Sequence, residues 1–154
     1  MLKLDLEEYF NLIKELEYFI IKLETPYVPK DFPKKYAVGK DIDIIVSSND
    51  FDKIKEVTKI FSRNYSNYTI LIYETDLNSF RLRFQEDSKL HYQIDIRTLI
   101  EGISEETIIK CFEKRMKNKN YYVLPPKLER IFRELEYKKH GNLKPWHKIW
   151  LDNN

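Results

Sequence analysis

The 154-residue sequence predicts a single α+β domain. The expected architecture is a mixed, largely antiparallel sheet of about five strands with helices packed on one of its faces. Three observations lead there. Four segments, DIDIIV, YTILIYET, SFRLRFQ and LHYQIDIRT, are apolar at strand length or alternate apolar with polar. Other segments repeat apolar residues at helical spacing. The last three strand-like segments follow one another through short polar turns, as in an antiparallel meander. A core is expected over about residues 5–100 and a C-terminal helical part over about 104–152.

The elements follow in order. Leu6, Tyr9, Phe10, Ile13 and Leu16 recur at helical spacing, and Asp5 with Glu8 forms an N-terminal cap, so a helix is expected over 5–16. YFIIKL, residues 18–23, is β-branched and aromatic and reads as the first strand. ETPYVPKDFPKKYAVG holds three prolines and one glycine and reads as a long loop, a kind of segment that often carries function. DIDIIV is the second strand. SSND then caps a helix that turns Phe51, Ile54, Val57, Thr58 and Phe61 inward. YTILIYET, SFRLRFQ and LHYQIDIRT are strands three to five, with EDSK turning between the last two. Ser104 starts a helix with Ile108, Cys111, Phe112 and Met116 inward. YYVL is a short final strand. Pro125 and Pro126 open a helix that ends near His140–Gly141, and Trp146, Ile149 and Trp150 suit a short closing helix.

Composition narrows the function classes. Aromatic residues make up 14% and charged residues 34%, with only three glycines, which excludes a disordered or low-complexity chain. The formal net charge of +2 argues against nucleic acid as the partner, since strong binders carry a larger basic excess. The single cysteine, Cys111, excludes an intrachain disulfide and a Cys-rich zinc site, and it reads as a small core residue. The start, MLKLDLEEYF, has no basic region or long apolar run and is not expected to be a signal peptide. No segment has the roughly 20 apolar residues of a membrane span. A cytoplasmic setting fits these features. His140, beside Lys138 and Lys139, complements a helix C-terminal dipole.

The strands carry the chemistry. Alternate residues of a strand share a face. Asp41, Asp43 and Ile45 share one face of the second strand, opposite Ile42, Ile44 and Val46. Arg81, Arg83 and Gln85 share one face of the fourth, opposite Phe80, Leu82 and Phe84. His91, Gln93, Asp95 and Arg97 share one face of the fifth, opposite Tyr92, Ile94 and Ile96. The apolar faces must bury, so the charged faces gather on the other side. Carboxylates there suit Mg²⁺ through oxygen, and arginines suit phosphate through a bidentate fork. Asp41 and Asp43 stand roughly 6.5–7 Å apart along the strand, close enough to converge on one ion. Asp95 could hold a second ion about 3.5–4 Å away. The alternative for such a face is a solvated sheet surface with cross-strand Asp–Arg pairs.

An Asp–hydrophobic–Asp strand, then a helix, then a later strand with a third acid resembles the nucleotidyltransferase superfamily of the DNA polymerase beta type. DIDIIV carries Asp41 and Asp43, and HYQIDIR carries Asp95. The layout around Gly39–Lys40–Asp41 is most similar to the small nucleotidyltransferase-like proteins often encoded with surface polysaccharide genes. The resemblance covers residues 18–97. It implies Mg²⁺-dependent, two-metal transfer of a nucleotidyl group from an NTP to a small-molecule or sugar-phosphate acceptor, with Mn²⁺ as a substitute ion. Asp41, Asp43 and Asp95 would be the metal ligands and catalytic residues. Lys22, Gly39, Lys40, Arg81, Arg83, His91 and Arg97 are the candidate phosphate or substrate contacts, and the loop over 25–38 is a candidate contact for the acceptor. The family places a Gly–Ser pair at the end of its first strand, where this chain reads KLETP. The alternative is therefore a catalytically silent nucleotidyltransferase-like module that binds nucleotide or a protein partner.

Overall fold

The computed structural model describes residues 4–23, 28–140 and 144–154. Its elements run α1 (Leu6–Ile13), β1 (Tyr18–Ile21), β2 (Lys40–Val46), α2 (Phe51–Ser62), β3 (Thr69–Asp76), β4 (Ser79–Glu86), β5 (Lys89–Arg97), α3 (Glu105–Lys114), β6 (Met116–Asn118), β7 (Tyr121–Val123), α4 (Pro126–His140) and α5 (Pro145–Asn153). The strands form one mixed sheet of seven in the order β3-β4-β5-β2-β1-β7-β6. The expected count of about five is therefore too low. Most neighbours are antiparallel, but β2 pairs with β5 and β1 with β7 in parallel. Among the described residues no helix is long and apolar enough to cross a membrane.

Local chemistry explains most boundaries. Asp5 accepts hydrogen bonds from the Glu7 and Glu8 amides at 3.0 and 3.2 Å and starts α1, which stops at Ile13, short of the expected residue 16. Asp50 precedes α2 without capping it through its side chain. Its Oδ2 accepts from the Glu17 amide at 2.8 Å and ties the residue before β1 to the start of α2. Asp87 and Ser88 both take positive φ, 50° and 61°, as a two-residue hairpin turn between right-twisted strands requires. Gly39 turns the chain into β2 with φ +85°, a left-handed conformation that favours glycine, and its amide donates to the His91 carbonyl at 2.6 Å. Ser104 caps α3 through the Thr107 amide at 3.2 Å. The expected stop of α4 at Gly141 and residues 25–27 of the Pro-rich loop lie outside the described residues.

Two expectations are corrected by packing. Met116 is not on the inner face of a helix. It opens β6, an exposed three-residue edge strand paired with β7. Helices also cover both faces of the sheet. One core joins α1 and α2 to Tyr18, Ile20, Ile42, Ile44, Val46, Phe80, Leu82, Phe84, Ile94 and Ile96. A second core lies on the opposite face, where Phe19, Ile21 and Ile45 meet Ile108 and Cys111 of α3 and Leu128 and Phe132 of α4. All four residues of β1 are buried, because β1 lies between the two cores. Cys111 is a core residue as expected, and burial pushes its thiol pKa up to about 11.

Phe19 is fully buried, with its ring centroid 5.0 Å from that of Phe112 and 6.2 Å from that of Phe132. Phe19→Ala is expected to destabilise the fold by about 3–5 kcal/mol in urea unfolding. A loss under about 1 kcal/mol would mean that the second core collapses around the cavity or is not tightly packed.

Candidate functional site

Strand pairing sets the polar face in three rows. Tyr73, Arg81, Asp95, Asp43 and Ile21 are successive cross-strand partners from β3 to β1. Leu71, Arg83, Gln93 and Asp41 form a second row, and Ser79, Arg97, Ile45 and Phe19 a third. Phe19 and Ile45 of the third row, with Ile21 of the first, lie in the α3–α4 core, so helices cover this face at its β1 end.

The parallel pairing of β2 and β5 puts Asp43 opposite Asp95, with Asp41 one pleat away. Ligand oxygens of the three carboxylates lie within 4.8 Å of one another, a group able to hold a metal ion. The donors are hard oxygens with no thiolate or imidazole among them, so the set fits Mg²⁺ or Mn²⁺ better than a soft metal. Exposure falls across the group, from exposed Asp41 through half-buried Asp43 to buried Asp95.

Carboxylates this close repel, and two cations answer them. Arg81 donates from Nε to Asp95 Oδ1 at 2.6 Å and from Nη2 to Oδ2 at 3.4 Å. This hydrogen bond, ahead of every other influence, raises the Arg81 pKa further above its ordinary value. Gln93 donates to Asp95 Oδ2 at 2.7 Å, and its own Oε1 accepts from Arg83 Nε at 2.6 Å. Arg83 thus orients the amide so that its NH₂ faces Asp95.

Lys22 supplies the second cation. Its Nζ lies 3.1 Å from Asp43 Oδ2 and 3.3 Å from Glu136 Oε2. Burial alone would lower its pKa, but Asp43 and Glu136 outweigh burial and raise it. The Lys22 backbone is left-handed, φ 53°, and its amide donates to Glu129 Oε1 at 2.6 Å. α4 holds this end of β1 through Glu129 and Arg133, whose Nη2 donates to the Leu23 carbonyl at 2.8 Å. Glu136 also pairs with Lys144 at 2.6 Å. Burial would raise the Glu136 pKa, but the Lys144 and Lys22 ammonium groups bring it down to about 2.

The remaining candidates take various places. Arg97 stands beside Asp95 in the next row, and Gly39 shapes the entry to β2. Lys40 lies 5.6 Å from the Trp146 ring centroid, and Lys22 and Arg81 already neutralise acids of the group. His91 falls at the bulge in the β4–β5 ladder. Its ring meets Tyr68 at 5.5 Å and its Nε2 lies 3.4 Å from Glu86, with no side-chain contact to the aspartates among the described residues. Glu129, Arg133 and Glu136 do not stand out in the sequence as site residues. Their one signal is that Glu129 and Arg133, four apart, interrupt the apolar face of α4 beside Leu128 and Phe132.

Searches of known protein families, curated proteins and solved structures return no match to this chain.

The network around Lys22 makes a pH prediction. His147 is buried, and its Nδ1 lies 3.2 Å from Arg133 Nη1. Burial first, and then the Arg133 charge, lower its pKa from 6.5 to about 4. An unfolded chain takes up this proton near pH 6.5 and the folded one only near pH 4. Stability from this group is therefore complete above pH 6.5 and is lost as the pH falls towards 4. Urea midpoints are expected to decline across that window in the wild type and less steeply in His147→Gln. Equal slopes in both proteins would refute the assignment.

Proposed function

We propose that this protein is a Mg²⁺-dependent nucleotidyltransferase that moves a nucleotidyl group from an NTP to a small-molecule or sugar-phosphate acceptor. One observation carries the reading: β2 and β5 pair in parallel with Asp43 opposite Asp95, and three carboxylates converge within 4.8 Å on the open face. The Asp–hydrophobic–Asp strand, the following helix and the third acid on a later strand support it through their resemblance to the polymerase beta type.

Asp41 and Asp43 would hold the ions, and Asp95 would share one of them and take the proton of the acceptor hydroxyl. Bound metal would supply charge stabilisation at the attacking and leaving oxygens of the phosphoryl group. Arg81 would balance phosphate charge when released from Asp95, and Lys22 would do so from the side of Asp43. The acceptor oxygen forms the new bond to the α-phosphorus, and pyrophosphate leaves.

The second reading is the silent binding module, and a specific observation favours it. The end of β1 carries no Gly–Ser pair. Lys22 stands there in a left-handed conformation, with its ammonium group already engaged by Asp43 and Glu136.

Thermal unfolding separates the two. An NTP at about 100 times its Kd should stabilise the wild type by roughly 2.7 kcal/mol, a shift of several degrees. The shift is expected only with Mg²⁺ and is expected to vanish in Asp43→Asn. That variant should keep its metal-free stability within about 1 kcal/mol, because Lys22 retains Glu136 as a partner. A nucleotide shift that ignores Mg²⁺ and Asp43 favours the silent module. No shift with any NTP refutes both nucleotide readings.

A further inference from the structure

Beside Asp95, on the side away from Asp43, the polar face of the sheet opens into a cleft of about 350 Å³. Tyr73, Ser79, Arg81, Arg97 and Leu99 line it together with Asp95. Its two arginines are not equivalent. Arg81 is committed to Asp95. Arg97 is half-buried, and its guanidinium has no ion-pair or hydrogen-bond partner among the described residues. A guanidinium that lines a cleft and makes no such contact there can offer an entering anion a bidentate fork.

The other walls are of a different kind. Tyr73 and Leu99 are large, apolar and about two-fifths exposed, 40% and 41%. The Tyr73 ring is fixed from one side by the Arg83 guanidinium, 5.3 Å from its centroid. The Thr98 hydroxyl donates to Asn78 Oδ1 at 2.9 Å, and the Thr98 amide to the Asn78 carbonyl at 3.0 Å, which pins the chain between Arg97 and Leu99 to the β3–β4 turn. These contacts fix the walls of the cleft. Its volume is at the small end of ligand sites, which run about 300–1,000 Å³. One ring with one anionic group fits that space.

We propose that this cleft is the acceptor site, and that it takes a single-ring molecule bearing a phosphate or carboxylate. Arg97 binds the anionic group, and the ring lies against Tyr73 and Leu99. The acceptor role rests on the nucleotidyltransferase reading, since it is Asp95 that borders the cleft. The binding itself does not need a metal.

The test uses side-chain NMR of the full chain in metal-free buffer, with phenyl phosphate and benzoate as probes and phenol as the neutral control. Either anion is expected to shift the Arg97 Nε–Hε and Tyr73 ring signals, and phenol is not. Arg97→Gln should weaken phenyl phosphate binding about tenfold or more. Arg97→Lys should keep part of it. No shift at Arg97 with either anion overturns the proposal, as does equal binding by wild type and Arg97→Gln. If Arg97→Gln fails to fold, the wild-type signals and Arg97→Lys decide. The Mg²⁺-dependent NTP shift is read in parallel. If it persists while the anions ignore Arg97, the cleft proposal alone fails. If the anions bind Arg97 while no NTP responds to Mg²⁺, the acceptor role falls with the nucleotidyltransferase reading.

Discussion

Parallel strands in register place like positions side by side, about 4.8 Å apart across the ladder. When both positions are aspartate, the pairing concentrates negative charge that the sheet must answer. Asp43 and Asp95 are such a pair, and much of the surrounding structure reads as that answer. β4 lies outside β5 and brings Arg81 to Asp95, and β1 lies outside β2 and brings Lys22 to Asp43. The cations come from the two flanks of the acidic pair, which leaves the space above it open.

The flanks are themselves supported differently. On the β4 side support stays within the sheet, as Arg83 orients Gln93 and Gln93 donates to Asp95. On the β1 side it comes from the helices. Glu129, Glu136 and Arg133 of α4 hold the Lys22 amide, the Lys22 ammonium group and the Leu23 carbonyl. α5 joins through Lys144, just before its start, and through His147. The C-terminal helices therefore cover an apolar core and also set one charge of the candidate site.

Much of this was legible in the sequence, for a definite reason. Period-two alternation in DIDIIV, SFRLRFQ and HYQIDIR fixes which side chains share a face, and the structure gathers Asp41, Asp43, Asp95, Arg81 and Arg83 as that alternation requires. Alternation does not fix neighbours, so the β2–β5 pairing could not be read from it. A bulge interrupts the alternation, which is why His91 leaves the expected set. β6 has three exposed residues, and its one apolar side chain, Met116, continues the helical spacing of Ile108, Cys111 and Phe112 and so reads as part of the helix. The second core did leave a trace. YFII is apolar at every position, and a strand covered on one face alone would alternate. The roles of Glu129, Arg133 and Glu136 depend on where α4 docks, which no local pattern contains.

The left-handed backbone at Lys22 has an evolutionary consequence. A side chain in that conformation costs roughly 1–2 kcal/mol that glycine does not. Glycine at position 22 would therefore relax the chain while deleting the cation between Asp43 and Glu136. Selection for a sturdier fold and selection for a neutralised acidic pair pull in opposite directions there. A glycine substitution there removes a strained side chain and a charge at once, so it raises backbone stability while leaving the acidic pair less neutralised.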